Sequence, residues 1–456
     1  MKENLNIIIL AAGQGKRLNS ELPKPLNTLA KKPFIFYILE TAIKMNPDNI
    51  YIIKGYMGNI LENAVTLHFP DIKISWIEQK ETLGTAHAVK LASDKITPTG
   101  NTLILYGDIP LIGEKILNSL VLSNNNYSLS ILTCKINNPK GYGRIVRKNN
   151  RIKSIVEEKD ASIEEKLISE INTGIMIISS KVLISLIGKI NNNNAQKEYY
   201  LTDIVDLIDN NKINSVTTDD EMQISGINTM EQLADLEILH QKRTRSKLAK
   251  NGIHMVDKNS LYIFGDIEHK KDIFIEPNVV LENVSLESNI KIGFGSVIKN
   301  STIKSNTIIH PYSIIDNSEI EESVNIGPFS RLRPGSKLQR GSKVGNFVEI
   351  KNSTIKESSK ISHLSYIGDS KIGSNTNIGA GTITCNYDGE NKFETNIGDN
   401  SFIGSNTTLI APVSVGNNSF VAAGSVISKN IKSNEFGITR TQQVNKLNKK
   451  AYNENN

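Results

Sequence analysis

Residues 325–350 read NIGPFSRLRPGSKLQRGSKVGNFVEI, and in them Ile326, Leu332, Leu338, Val344 and Ile350 fall six positions apart without a break. An α-helix repeats its apolar face every three or four residues and a half-buried strand every two, so a sustained step of six fits neither. It is the hexapeptide signature of a parallel β-helix. Each hexad supplies one short strand and a bend, and three hexads close a coil. The aliphatic residue points inward onto its counterpart one coil below. The phase extends in both directions. Ile275, Leu281, Leu286, Ile292, Ile298, Ile303, Ile309, Ile315 and Ile320 keep steps of five or six, and Ile397, Ile403, Leu409, Val415, Val421 and Ile427 resume the step of six. With strands ~4.8 Å apart, roughly ten coils make a prism of about 45–50 Å. Flat faces and open ends favour oligomerisation. The phase breaks at TCNYDGENKFET, residues 384–395. A loop thrown out from a corner is expected there, and loops on a rigid scaffold are where function is carried.

Before about residue 251 the pattern is different. NIIIL, IYIIKG, IKISWIE, TLILYGD and SLSILTCKI read as strands, with helical stretches such as PFIFYILETAIKM and TLGTAHAVKLASDK between them. Such alternation predicts an α/β domain with a mostly parallel sheet, Rossmann-like in layering. Ligands then sit beyond the carboxyl ends of the strands. Thr229 with Gln232 forms a potential capping box ahead of a helix with a basic end. The expected organisation is a domain over 1–228, a linker helix over 229–250, and a left-handed parallel β-helix of hexapeptide repeats over 251–456, ending in a polar, disordered tail from 445.

Composition excludes more than it selects. Hydrophobic residues make up 38% and charged residues 22% of the 456, with a net charge of +6. No apolar run reaches the ~18 residues of a membrane span, and the one near the N-terminus is too short for a signal peptide. Two cysteines, Cys134 and Cys385, give neither a disulfide framework nor metal-ligand spacing. A cytoplasmic protein without membrane insertion is expected. Aromatics are 6% and the lysines are scattered, so no nucleic-acid stripe is present.

The first strand runs into LAAGQGKRLNSELPKPL, residues 10–26. Glycines there let backbone N–H groups approach an anion. The G-x-G lacks the third glycine of a dinucleotide fingerprint and the spacing of a Walker loop, so a plain tight turn stays open. Arg17, and Lys24 held stiffly between prolines, point instead to a nucleoside triphosphate.

The same stretch resembles the L-A-A-G-x-G-T-R-M…P-K signature of sugar-1-phosphate nucleotidylyltransferases, with Lys16 and Leu18 in place of Thr and Met. QKETLGTAHA, LYGDIPL, GYGRIV, IVEEKDA and EINTGI extend the fit, and a hexapeptide half with SHLSYIGD and AGTITCNYDG follows. Together they resemble, over nearly the full length, the bacterial bifunctional N-acetylglucosamine-1-phosphate uridylyltransferase/glucosamine-1-phosphate N-acetyltransferase family. Ser362 stands where glycine or alanine is common, beside a catalytic position.

The resemblance implies two sites. In the first, UTP and N-acetylglucosamine 1-phosphate react to release pyrophosphate. Asp108 and Asn228 would hold Mg2+, leaving positions for phosphate and water. Leu10, Ala11, Ala12 and Gly13 would present backbone to the nucleoside, Arg17 and Lys24 would offset phosphate charge, and Gln79, Gly84 and Thr85 would read the uracil. Tyr106 and Gly107 flank the metal, and Gly143, Glu157 and Asn172 would hold the sugar. In the second, His363 is the general base that deprotonates glucosamine 1-phosphate for attack on acetyl-CoA. Arg333, Lys351, Tyr366 and Asn377 would bind the sugar phosphate. Ala380, Asn386, Tyr387, Ser405, Ala423 and Arg440 would contact acetyl-CoA, with Ser405 near the oxyanion. No role is assigned to the other six histidines, His87 among them. The family builds this site between the prisms of a homotrimer.

Two cations of the second site stand out without the resemblance. Arg333 and Lys351 are 18 positions apart, one coil, so two cations about 5 Å apart along the axis should repel unless a dianion lies between them. The rivals are an enzyme of the same kind acting on another sugar phosphate, and a non-catalytic regulatory scaffold.

Overall fold

The computed structural model describes residues 4–447, so most of the tail expected from 445 lies outside the described residues. The chain divides into two compact units, one ending at His240 and one beginning at Gln241.

The first unit is built on strands β1 (Leu5–Ala11), β2 (Asn49–Lys54), β3 (Ile74–Glu78), β4 (Asn101–Tyr106), β5 (Leu129–Lys135), β6 (Gly143–Lys148), β7 (Arg151–Val156), β8 (Glu170–Ser179) and β9 (Ile213–Thr218). They lie in the order β9-β5-β8-β4-β1-β2-β3, with β6 joined to β8 and β7 to β6. β1 runs parallel to β2 and β4, β2 to β3, and β5 to β9. β8 is antiparallel to both neighbours on the path. β1 is a continuous aliphatic run because both its faces are covered. Ile7 and Ile9 enter the core shared with helices α1 (Phe34–Lys44), α2 (Gly58–His68) and α4 (Glu114–Ser123). Ile8 enters the core on the other face, with α3 (Thr85–Ser93) and α5 (Ser180–Leu186). At the carboxyl ends Leu10 lies in register with Tyr106, so the loops after β1 and β4 emerge side by side.

Helix α6 (Met230–Lys250) starts at the expected capping box: Gln232 N donates to Thr229 Oγ1 at 3.2 Å, and Thr229 N to Gln232 Oε1 at 3.2 Å. In the first unit its Leu236 packs with Leu18, Leu29, Phe34 and Ile227. In the second unit its Gln241 exchanges two hydrogen bonds with the Ile263 backbone, and Leu248 joins the β-helix core.

The second unit is a stack of parallel strands in two sheets, of 11 and 16 strands among the described residues. Every aliphatic residue of the hexad series is buried. Leu332 pairs with Ile350 and Ile350 with Ile367, so a coil takes 18 or 17 residues. The corners explain the rest of the hexad. A residue in the left-handed region, usually Asn or Gly, precedes a buried Ser or Thr, as in Gly335-Ser336 and Asn352-Ser353. The hydroxyl bonds a carbonyl of the next coil, as Ser336 Oγ does to Ile350 O at 3.2 Å.

One corner breaks the small-residue rule. Tyr312, Phe329, Phe347 and Leu364 take φ of 59°, 55°, 57° and 48°, where bulky side chains are strained. All four are exposed, and the Tyr312, Phe329 and Phe347 rings stack at centroid distances of 5.1 and 5.4 Å. The expected loop is present. Ile378 pairs with Ile403, a coil of 25, and within it Tyr387 forms an isolated bridge to Lys392.

Each coil packs only on its neighbours, so a core truncation cannot be absorbed elsewhere. Ile350→Ala is expected to cost about 2–5 kcal/mol. The shift in urea midpoint of the full chain, at fixed protein concentration, measures it.

Candidate active sites

In the first unit the loop after β1 turns at Gly15, whose φ is 66°. A Cβ on Gly15 would lie 2.8 Å from Lys24 Cβ, so glycine there lets the Lys24 segment close over the loop. Pro23 precedes the short turn Lys24–Leu26, and Asn27 Nδ2 donates to Lys24 O at 3.2 Å. Lys24 is thereby aimed. Its Nζ donates to Asp108 Oδ2 and, at 2.8 Å, to Asn228 Oδ1. Arg17 Nη2 reaches the same Asn228 oxygen at 3.2 Å. Residues 204 positions apart thus meet at one point. A tethered ammonium stands between a carboxylate oxygen and an amide oxygen, both hard donors suited to a divalent cation. The donor set fits Mg2+ bound mainly through substrate and water. Among the described residues there is no group of three or more acidic, histidine or cysteine ligands.

A cavity of about 270 Å³ opens beside this point. Its lining includes Leu10, Ala11, Ala12, Gly13, Lys24, Gln79, Gly84, Thr85, Tyr106, Gly107 and Asp108, so eleven of the residues implied for nucleotide and metal share one wall. Gln79 is buried, and its Nε2 donates to Gly84 O at 3.2 Å and to His87 Nδ1 at 3.1 Å. His87, left without a role by the sequence, orients this amide. Gly84 caps α3 with φ 115°, and a Cβ there would lie 2.5 Å from Tyr199 O. Tyr106 is held well above its ordinary pKa by burial first, then by the charges of Glu157 and Asp108. Its hydroxyl stays protonated.

The residues implied for the sugar lie close to one another, and the charge of Glu157 is felt at Tyr106. Asn172 pairs with Gly143 across β8 and β6. Gly143 approaches Glu157 closely enough that a Cβ would sit 3.3 Å from Oε2. Gly174 allows the Tyr106 ring to lie against β8, since a Cβ would be 2.7 Å from Cε2. Burial raises the Glu157 pKa, opposed by a hydrogen bond from Thr202 Oγ1 at 3.1 Å and reinforced by Asp203 and Asp160. Thr202 carried no signal in the sequence reading.

Asp203 is pushed up to about 6 by burial, then by Asp206 and Asp160. A carboxyl raised in the fold contributes stability below its unfolded pKa of ~3.9 and loses it as pH rises through about 6. Asp203→Asn is therefore expected to raise Tm at pH 8 relative to wild type, and to change it little at pH 4.

In the second unit the implied residues form two groups. The stepping of hydrogen bonds between coils sets Asn346, His363, Ala380, Ser405 and Ala423 one above another along a corner. His363 Nδ1 donates to Asn346 Oδ1 at 2.6 Å, which leaves Nε2 as the acceptor nitrogen. Asn377 lies three residues before Ala380 on its coil. The other group, Arg333, Lys351, Tyr366 and Asn386, lies at the strand Tyr366–Gly368 and its neighbours. A Cβ on Gly368 would lie 2.5 Å from Tyr366 Oη and 2.9 Å from Asn386 Nδ2, so these two crowd together. Tyr387 and Arg440 are exposed.

The expectation of mutually repelling cations is corrected here. Arg333 Nη1 is 3.0 Å from Glu349 Oε1, and Lys351 Nζ is 3.3 Å from Asp369 Oδ2. Each cation carries its own carboxylate, so the pair needs no dianion to be stable. The sequence reading missed Asn346, Glu349 and Asp369, although each lies 16 to 18 positions from the residue it serves.

A nucleotidyl transferase family model matches residues 6–223, and a bacterial transferase hexapeptide model of six repeats matches residues 394–429. "Bifunctional protein GlmU" of Baumannia cicadellinicola subsp. Homalodisca coagulata is 45% identical over 446 residues, covering 96% of this chain and 95% of that protein. "Bifunctional protein GlmU" of Psychrobacter sp. (strain PRwf-1) is 46% identical over 452 residues, covering 98% of both. With both units matched at this identity over nearly their whole length, the chain belongs to the bifunctional GlmU family.

Proposed function

We propose that the chain is a bifunctional transferase of UDP-N-acetylglucosamine synthesis. It transfers acetyl from acetyl-CoA to glucosamine 1-phosphate, then uridylyl from UTP to N-acetylglucosamine 1-phosphate, supplying precursors of cell-wall polymers. The near-full-length likeness to bifunctional GlmU proteins carries this reading. The convergence of Lys24, Asp108 and Asn228 beside one cavity adds to it.

For uridylyl transfer, Lys24 and Arg17 offset the charge of two anionic reactants. The loop of Leu10 to Gly13 and the rigid Gln79–Gly84 pair hold the nucleoside, while Gly143, Glu157 and Asn172 orient the sugar so that its phosphate oxygen faces the α-phosphorus. Asp108 and Asn228 would hold Mg2+, which supplies charge neutralisation on the phosphates. For acetyl transfer, His363 Nε2 takes a proton from the glucosamine ammonium. The freed amine attacks the thioester carbonyl while Ser405 faces the developing oxyanion; the nitrogen then sheds a second proton to solvent, the C–S bond breaks, and coenzyme A leaves as the thiol with the proton that His363 took up.

A second copy completes the acetyl site in this reading. His363 ends the strand Lys360–His363, whereas the cation group lies at the strand Tyr366–Gly368 of the other sheet, past the corner at Leu364. The exposed Phe329, Phe347 and Leu364 flank the His363 column, an apolar stripe suited to a neighbouring prism. A homotrimer in the cytoplasm accommodates both facts. Among the described residues no helix is long and apolar enough to cross a membrane.

The test is an omission series with pure protein, glucosamine 1-phosphate, acetyl-CoA, UTP and Mg2+, following free thiol and pyrophosphate separately. Thiol release should need only the first two substrates, and pyrophosphate release should need all components. Equal turnover of another hexosamine phosphate would favour the first rival. Absence of both products would favour the scaffold.

A further inference from the structure

Asp369 follows the strand Tyr366–Gly368 with φ 48°, and its side chain is 14% exposed. Oδ2 accepts from Lys351 Nζ at 3.3 Å and from Asn386 Nδ2, while Oδ1 accepts from Asn352 Nδ2 at 2.7 Å. The backbone is fixed as well. Asp369 N donates to Lys351 O at 3.0 Å, and Asp369 O accepts from Thr395 N at 3.2 Å, where the 384–395 loop rejoins its coil. Burial acts to raise this carboxyl, but the hydrogen bonds from Asn352, Asn386 and Lys351 prevail and hold it below its ordinary value. A charged oxygen is therefore shared between a residue placed with the sugar phosphate and a residue placed with acetyl-CoA.

We propose that Asp369 is a positioning residue for acetyl transfer, which aims Lys351 at the sugar phosphate and Asn386 at acetyl-CoA and so anchors both substrate sites at one point. This rests on the acetyltransferase reading of the second unit. A carboxylate is required because Lys351 needs a counter-charge and Asn386 Nδ2 needs an acceptor from the same atom. An amide keeps one acceptor oxygen but lacks the charge Lys351 needs, and its NH2 faces a donor whichever way it turns, either Asn352 Nδ2 or the Lys351 and Asn386 nitrogens. The packing adds a third group, since Gly368 leaves room for Tyr366 Oη against Asn386.

The experiment compares full-length wild type with Asp369→Asn, Asp369→Glu, Lys351→Met and the Lys351→Met/Asp369→Asn double variant. KM for glucosamine 1-phosphate and for acetyl-CoA are measured separately, with uridylyl transfer as the control on folding. Asp369→Asn is expected to raise both KM values about tenfold, to change kcat less, and to leave uridylyl transfer at the wild-type rate. In the Lys351→Met background the same substitution should add little to KM for the sugar phosphate and still raise KM for acetyl-CoA. A general loosening of the coil would instead add to both. Movement of one KM alone, or full additivity in the double variant, overturns the proposal. If Asp369→Asn does not fold, Asp369→Glu decides: it keeps the charge and changes the reach, so both KM values must move together. Wild type unable to acetylate glucosamine 1-phosphate would overturn the functional reading and this role with it. An active wild type with unmoved KM values in the variants overturns this role alone.

Discussion

Asp108→Ala is expected to lower UDP-sugar formation by at least about 10³-fold while acetyl transfer continues at the wild-type rate. The residue lies two positions after β4, where its carboxylate meets Lys24 and, through Lys24, Asn228. Removing it leaves the amide of Asn228 as the one protein oxygen of the proposed Mg2+ site and frees Lys24 from its counter-ion. Charge stabilisation of a transferring phosphoryl group carries several kcal/mol in such sites, so the loss should fall on kcat. The side chain is 21% exposed, and its removal leaves no large cavity in the sheet. Pyrophosphate release from UTP and N-acetylglucosamine 1-phosphate measures the first rate and free thiol the second. Uridylyl transfer within tenfold of wild type would remove Asp108 from the site.

His363→Ala should act in the opposite sense. General-base catalysis contributes about 10²–10⁴-fold, and loss of that order is expected in acetyl transfer with uridylyl transfer intact. The geometry sharpens the expectation. Asn346 Oδ1 accepts from Nδ1, so the neutral ring presents Nε2 to the amine. His363 is exposed on its corner, and truncation there removes no core packing. Acetylation that persisted at the wild-type rate would leave the deprotonation step without this base.

The two halves were not equally legible in the sequence. The β-helix could be read because its period is carried by single aliphatic residues, and each of these is buried where the hexad places it. The strands after which LAAGQG and LYGD follow were readable for a similar reason: β-branched runs end at glycines. What the period could not show was the bulky left-handed corner at Phe329, Phe347 and Leu364, because hexad spacing fixes inward positions and leaves the corners free. Counter-ions were hidden for a geometric reason. Glu349 and Asp369 lie close in space to Arg333 and Lys351 only because coils of 17 or 18 residues stack, so side-by-side charges look remote along the chain. Thr202 reaches Glu157 across 45 residues with no periodicity to announce it.

The coil stack has a further consequence for how the protein wears under stress. A structure whose layers grip only their neighbours unravels from its ends, and amide exchange should follow that order. Arg333 and Lys351 belong to layers clamped from above and below, whereas Ser405, Ala423 and Arg440 sit nearer the final strand at Phe436–Gly437. Mild denaturant should therefore erode grip on the thioester before grip on the phosphorylated amine.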